Sequence, residues 1–324
     1  MRHFFRPLLA AAVLAVLPLA AALAQDNFPS RPIKIVVPFP PGGSSDQVAR
    51  LLANGMKDKL GQPIIIENKA GAGTVIGAEA VAKSPADGYT LLWMTTPFAI
   101  NASLVKSLPY DTFKDFTPVV DVVAMPLVMI VHPNSPAKSV ADLVAMAKKA
   151  PGKLSYGSSG NGGSPHLAME MFKSMAGVFV NHIPYRGSAP SVQDLIAGQT
   201  DVVIDTIFLT TPFVQAGKAR ALAQTGAQRS PYLPDVPTMR EAGIAGYEAT
   251  SWLSMAAPAG TPAAVVQKIN AAANEVLKAP AMREQLTKQG MDIIAGTPDE
   301  AARRLRVEVD KWGKAVASSG AKSD

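Results

Sequence analysis

Twice along this chain an apolar, β-branched run breaks into a glycine- and serine-rich turn that opens directly onto a helix. The first run is Ile33-Lys34-Ile35-Val36-Val37, followed by PFPPGGSSD (38–46), after which Val48, Leu51, Leu52 and Met56 recur at helical spacing. The second is Leu154-Ser155-Tyr156-Gly157, followed by SSGNGGSPH (158–166) and a helix predicted from His166 to Met175. Strand, flexible turn and helix in succession form the repeating unit of a mostly parallel sheet covered on both faces, so the fold class is α/β. Within the first turn Ser44, Ser45 and Asp46 are all competent N-caps, and Gly42-Gly43 permits positive φ and close approach by another group.

The remaining segments continue the alternation. Strands are expected at Pro63 to Glu67, at Tyr89 to Met94 running out into Thr95-Thr96-Pro97, at Val119 to Val123, and at Leu127 to Val131. Between them NKAGAGTVIG (68–77) is a second glycine-rich turn, opening a helix over 75–83. Ser139 caps a helix through Ala150, with Asp142 three residues on. Later come a strand at Val178 to Pro184, a helix at Ala189 to Ala197, a strand at Asp201 to Asp205, a helix starting at Pro212 and a strand at Ala221 to Thr225. A crossing strand at Thr250 to Ala256 then leads to helices at 262–279, 280–289 and 298–317. A helical tail after a crossing strand implies that the chain returns to its first domain. With no low-complexity linker, the domains are expected to be joined by strands, giving a first domain at 25–126, a second at 127–246 and a return segment at 247–324.

Residues 1–24 read as a cleaved signal peptide: Arg2 and Arg6 precede an apolar run from Leu8 to Leu23, and Ala22-Leu23-Ala24 offers a small-residue cleavage site. Removing them leaves 300 residues, about two ordinary domains, and lowers the formal charge from +6 to +4. The protein is therefore expected in the periplasm. With no cysteine there is neither lipid attachment at the cleavage site nor thiol chemistry, and stability must come from a core. The basic residues form no stripe and aromatics make up only 6% of the chain, which argues against nucleic acid as a partner.

Open α/β sheets take ligands at the carboxyl ends of their strands, where helix N-termini favour anions. Here Gly42 to Asp46 and Ser158 to His166 lie in different halves; facing one another, they would clamp a small anion, and taken singly each is equally well a tight turn. Neither turn contains Arg or Lys, which suits a carboxylate held by N–H groups, hydroxyls and water better than a phosphate. No phosphate-loop or dinucleotide motif is present, so no cofactor is expected. No G-x-S-x-G elbow occurs, and His132, His166 and His182 have no Ser and acid partners at a diagnostic spacing. His166 and Glu170 stand at i and i+4, but two ligands make no metal site and none is expected. Asp205, which ends the run Val202-Val203-Ile204, either faces a ligand or caps the next element; Arg186, after Tyr185, is either an outer cation or a surface charge.

Several segments together resemble the solute-binding proteins of tripartite tricarboxylate transporters, the Bug family: RPIKIVVPFPPGGSSD, IIIENKAGAGTVIGAEAVAKSPADGYTLL, YGSSGNGGSPHLAMEMF, IPYRGSAPSVQDLIAGQTDV and TPDEAARRLRVEVDKWGK. The resemblance implies a type II periplasmic-binding-protein fold, in which two α/β domains joined by a strand hinge close on a small carboxylate and pass it to membrane subunits of the transporter. It implies a ligand site built from Phe39, Pro41, Gly42, Gly43, Ser44, Ser45 and Asp46 with Thr95 and Thr96. The second domain would add Ser158, Ser159, Asn161, Gly163, Ser164 and His166, with Tyr185, Arg186 and Asp205. Ala70 and Thr74 stand where relatives often carry Pro and Gly. A monomer without catalysis is expected; an exported enzyme acting on a small acid, or a sensor for a membrane kinase, remain the alternatives.

Overall fold

The computed structural model describes residues 28–319, and the expected signal segment lies outside the described residues. Strand β1 (Ile33–Val37) leads into α1 (Ser44–Leu60), β2 (Ile64–Asn68), a 3-10 turn at Ala72–Thr74, α2 (Val75–Ala82), β3 (Thr90–Thr95) and α3 (Thr96–Leu104). A long strand β4 (Phe116–Val131) precedes α4 (Val140–Lys149), β5 (Ser155–Ser158), α5 (Ser164–Ala176), β6 (Asn181–Pro184), α6 (Ser188–Ile196), β7 (Val202–Thr206), α7 (Ile207–Gln215) and β8 (Arg220–Gln224). The chain ends with β9 (Thr250–Pro258), α8 (Ala263–Lys278), α9 (Pro280–Thr287), the short β10 (Asp292–Ile293) and α10 (Pro298–Ser319).

The strands lie in the order β2-β1-β3-β9-β4-β7-β5-β6, with β8 and β10 also pairing to β4. The expectation of two strands around 119–131 is corrected: the run is one strand of 16 residues that serves two groups of partners. Up to Pro126 it pairs with β9; from Leu127 onward it pairs with β7 and β8. Pro126 is tolerated because it sits where the ladder changes hands, so its missing N–H interrupts nothing. At that point Thr225 takes over, its hydroxyl accepting from Leu127 N at 2.8 Å and its N–H reaching Leu127 O at 2.9 Å.

Two helices also differ from expectation. Pro97 does not end β3 in a turn but sits in the first turn of α3, where its missing N–H costs nothing. Helix α7 starts at Ile207, five residues ahead of the expected Pro212, which it carries in its interior. Ser139 caps α4 as expected, accepting from Asp142 N at 3.1 Å.

The apolar residues form one shared core and two local ones. The shared core runs through both groups of strands, from Val36, Leu92 and Phe98 to Leu127, Tyr156, Phe172 and Ile204, and takes in Leu305 and Trp312 of α10. Ile33, Ile35, Val37, Trp93, Leu253 and Met255 form a second cluster with α1 and α8, while Val128, Ile130, Val203 and Ile207 form a third with α6. The two halves thus share one core and each keeps one of its own. Helix α10 fastens the shared core: Glu308 accepts from Trp252 Nε1 at 2.9 Å and Trp312 Nε1 at 2.8 Å, and Arg304 pairs with Asp121 on β4 at 3.0 Å.

Candidate functional site: a cleft at the strand ends

The first wall of the cleft is the turn between β1 and α1. Its N-cap is Gly43, with no side-chain hydrogen bond, so the serines expected to cap the helix lie inside it. Gly42 adopts φ 90°, open to glycine at no cost, and its N–H turns back to Asp46 Oδ2 at 2.9 Å. The buried Asp46 also accepts from Arg50 Nε and from Asn68 Nδ2, each at 2.9 Å, while the same Asn68 amide donates to Phe39 O at 3.0 Å. Burial alone would raise Asp46, but the bonds from Arg50, Gly42 and Asn68 hold it below the ordinary carboxylate range. Both carboxylate oxygens are therefore turned back into the loop, and Asp46 holds its shape. Ser45 Oγ accepts from Trp93 Nε1 at 3.1 Å, tying the helix start to β3.

A neighbouring turn is held in the same manner. Asn101 on α3 donates to Gly73 O at 2.7 Å and to Thr74 Oγ1 at 3.3 Å. Thr74 sits at φ 87° and Ala72 at φ 44°, backbone that non-glycine residues adopt only when their surroundings impose it.

The second wall is the turn between β5 and α5, with Gly163 as an N-cap that again has no side-chain bond. Ser158 is fully buried; its Oγ accepts from Gly160 N at 3.1 Å and lies 2.6 Å from His182 Nε2. Sequence spacing gave no serine partner for any histidine, and the fold supplies one. The pair does not make a hydrolytic triad, because the acid of this cluster, Glu170, is committed to Tyr156 at 2.5 Å and Lys173 at 2.6 Å. His166 Nδ1 accepts from Gly162 N at 3.1 Å, and its ring stacks on His182 with centroids 4.1 Å apart. Burial, and then the neighbouring His166, push His182 down to about 4, so its role in the loop falls to a neutral imidazole at neutral pH.

The two turns are linked through β9. Thr96 Oγ1 lies 3.3 Å from Ser251 Oγ, which accepts from Ser164 Oγ at 3.4 Å, so one hydroxyl on β9 joins the starts of α3 and α5. Gly162, at φ 72°, is packed so closely that an added Cβ would lie 2.5 Å from Leu104 Cδ2 of α3. Two surface cavities, of about 520 and 420 Å³, lie elsewhere: one beside Lys148 and Phe179, the other beside Gln228 and Arg304.

This strand-end architecture is that of a known receptor family. The family model described as tripartite tricarboxylate transporter family receptor matches residues 48–320. The chain belongs to that family. Among curated relatives, the Bordetella pertussis protein BugT is 39% identical over 311 residues, covering 95% of each chain. A Rhodopseudomonas palustris protein solved with adipate superposes with a TM-score of 0.85 at 37% identity, covering 91% of this chain and 99% of its own. MatC from the same organism, solved with malate, gives 0.82 at 33% identity, covering 89% and 100%. The structure of the periplasmic binding protein BugD gives 0.82 at 35% identity over 92% of this chain.

In this receptor the expected site residues divide into two groups. Asp46, Ser158, His166 and Tyr185 are turned into the protein as braces; Tyr185 OH donates to Asp194 at 2.7 Å, and burial followed by Asp194 pushes it up to about 12. Pro41, Gly42, Gly43 and Asn161 are exposed, Phe39, Ser44, Ser159 and Gly163 are half-buried, and Arg186 is exposed without an ion pair among the described residues. Thr95 Oγ1 and Asp205 Oδ2 are buried without a hydrogen-bond partner. Sequence reasoning missed Arg50, Asn68, Asn101, His182 and Ser251, which hold the expected residues and turns in place. Asn68 opens the glycine-rich turn that was recognised, but nothing local links Ser251 to Thr96 across 155 residues.

Proposed function

We propose that the protein captures a small carboxylate in the periplasm by closing its halves on it, then hands it to the membrane subunits of a tripartite tricarboxylate transporter. The observation that carries this reading is the bracing of both turns from behind, by Asp46 and Asn68 in one and by His166 and His182 in the other. A turn already held in its binding shape loses little freedom when an anion arrives. The helix starts at Gly43, Thr95 and Gly163 have no side-chain caps, which leaves first-turn amides to serve a carboxylate directly or through water. Arg50 is committed to Asp46, so the charge of the ligand is met by dipoles and hydroxyls. The adipate and malate bound by two relatives support a small aliphatic acid.

The proposed division at 25–126, 127–246 and 247–324 falls where β4 exchanges β9 for β7 and β8, and again between β8 and β9. Closure about these strands shifts an existing open–closed equilibrium by the ligand's preference for the closed form. The chain acts as a monomer without turnover, and residues 1–24 direct its export. Calorimetry and X-ray scattering across a panel of mono-, di- and tricarboxylates test the reading. Binding of one acid class with a fall in radius of gyration is expected. Binding without compaction would refute closure, and loss of the acid over long incubation would refute a purely binding role.

A further inference from the structure

Five acidic side chains are buried among the described residues: Asp46, Asp121, Glu170, Asp205 and Glu308. Four have a basic partner, in the pairs Asp46–Arg50, Asp121–Arg304, Glu170–Lys173 and Glu308–Lys311. Asp205 has none. It is 1% exposed; Oδ1 accepts from Thr206 N at 2.7 Å, and Oδ2 has no hydrogen bond of ordinary geometry, although the Ser188 side chain acts on the carboxylate as a donor. A buried carboxylate oxygen without a donor is costly, and elsewhere this fold avoids that cost.

Its position says what would relieve it. Side chains alternate along β7, so Asp205 shares a face with Val203, a member of the cluster that lies only in the second half, and its register partner Val128 belongs to the same cluster. Asp205 stands at the carboxyl end of the strand, next to the start of α7. Thr95, the last residue of β3, stands at the carboxyl end of its own strand, and it too keeps an unpartnered buried oxygen. One orphaned polar atom therefore stands at a strand's carboxyl end in each half, where open α/β sheets take their ligands.

We infer that the solute carries an O–H or N–H donor in addition to its carboxylate, and that Asp205 accepts from it. The inference rests on the carboxylate-binding reading and narrows it to hydroxy or amino acids. Donor-free diacids would bring a second negative charge towards Asp205, whereas an ammonium would supply the counter-charge that the other four buried acids already have.

The test is calorimetric titration of the purified protein at pH 7.5 with two matched series: succinate, malate and aspartate, then glutarate, 2-hydroxyglutarate and glutamate. In the series whose length fits, the donor-bearing acid is expected to bind at least about tenfold more tightly than the donor-free one, the value of one charge-assisted hydrogen bond. A preference for the amino over the hydroxy member identifies an ammonium; the reverse order identifies a hydroxyl. Asp205→Leu should bring the ratio to within about threefold, the donor-bearing acid losing its acceptor and the donor-free acid losing a repulsive charge, and Asp205→Asn provides the same comparison if the leucine variant does not fold. Equal binding of donor-free and donor-bearing acids, or a ratio that survives both substitutions, overturns the inference and leaves a water as the partner of Asp205. Failure of every acid to bind would instead remove the carboxylate reading itself.

Discussion

Asp205→Asn should stabilise the ligand-free protein at neutral pH and leave it unchanged in acid. Burial raises the Asp205 carboxyl from its ordinary 3.8 to about 6, with Ser188 and Thr206 opposing the shift in part. A raised folded-state pKa means that the folded protein holds its proton longer than the unfolded chain does. Below pH 3.8 both states are protonated and nothing is lost; as pH climbs through 6 the folded state must ionise an acid that no cation meets. The difference of 2.2 pH units, at about 1.36 kcal/mol each, amounts to about 3 kcal/mol above pH 7. Asparagine preserves the shape, can still accept from Thr206 N–H and removes the charge. With an unfolding entropy of about 2.1 cal/mol/K per residue over about 300 residues, that free energy corresponds to a rise of about 5 °C in the unfolding midpoint. Thermal unfolding of both proteins at pH 3.5, 5, 6 and 7.5 without ligand provides the comparison. A difference between them that stays constant with pH, or a variant that is the less stable at pH 7.5, would refute the assignment of this cost to Asp205.

His182 should act in the opposite direction. Its folded pKa of about 4 lies below the ordinary 6.5, so the unfolded chain binds more protons between those values and stability, fully present above pH 6.5, falls by about 3 kcal/mol on acidification. In an Asp205→Asn background, where the opposing carboxyl is absent, His182→Gln should flatten that acid limb of the melting curve; coincident curves would contradict the assignment. Asp46→Asn should weaken carboxylate binding at least about tenfold by loosening the first turn, through the loss of a charge-assisted bond, and unchanged calorimetric affinity would show that the turn needs no brace. Ala72→Gly relieves an exposed alanine at φ 44° and should stabilise the protein by about 1 kcal/mol, as read by denaturant titration; a destabilised variant would show that the alanine is not strained.

Much of the architecture is legible locally because strand and helix patterns have different periods and the turns carry their own chemistry. The β1–α1 and β5–α5 turns, the Ser139 cap and the helical tail all follow from neighbouring residues. The single strand β4 does not, because its Ala-Met-Pro step resembles a break unless it is known that Pro126 falls where pairing partners change. Helix α3 was hidden for a similar reason: Pro97 after Thr96 signals a turn in an extended chain and a first helical turn in a buried one.

By itself, then, the sequence determined which segments turn, which glycines those turns require, and that no cation sits within the β1–α1 and β5–α5 turns, since these properties depend on side-chain chemistry within a few residues. Only the tertiary structure decided what each polar group does. It turned Asp46, His166 and Tyr185 inward as braces, brought Ser251 between Thr96 and Ser164, and, among the described residues, gave every buried acid but Asp205 a basic partner. Hydrogen bonds and ion pairs act over about 3 to 4 Å, and contacts between distant segments at that range exist only after the chain has packed.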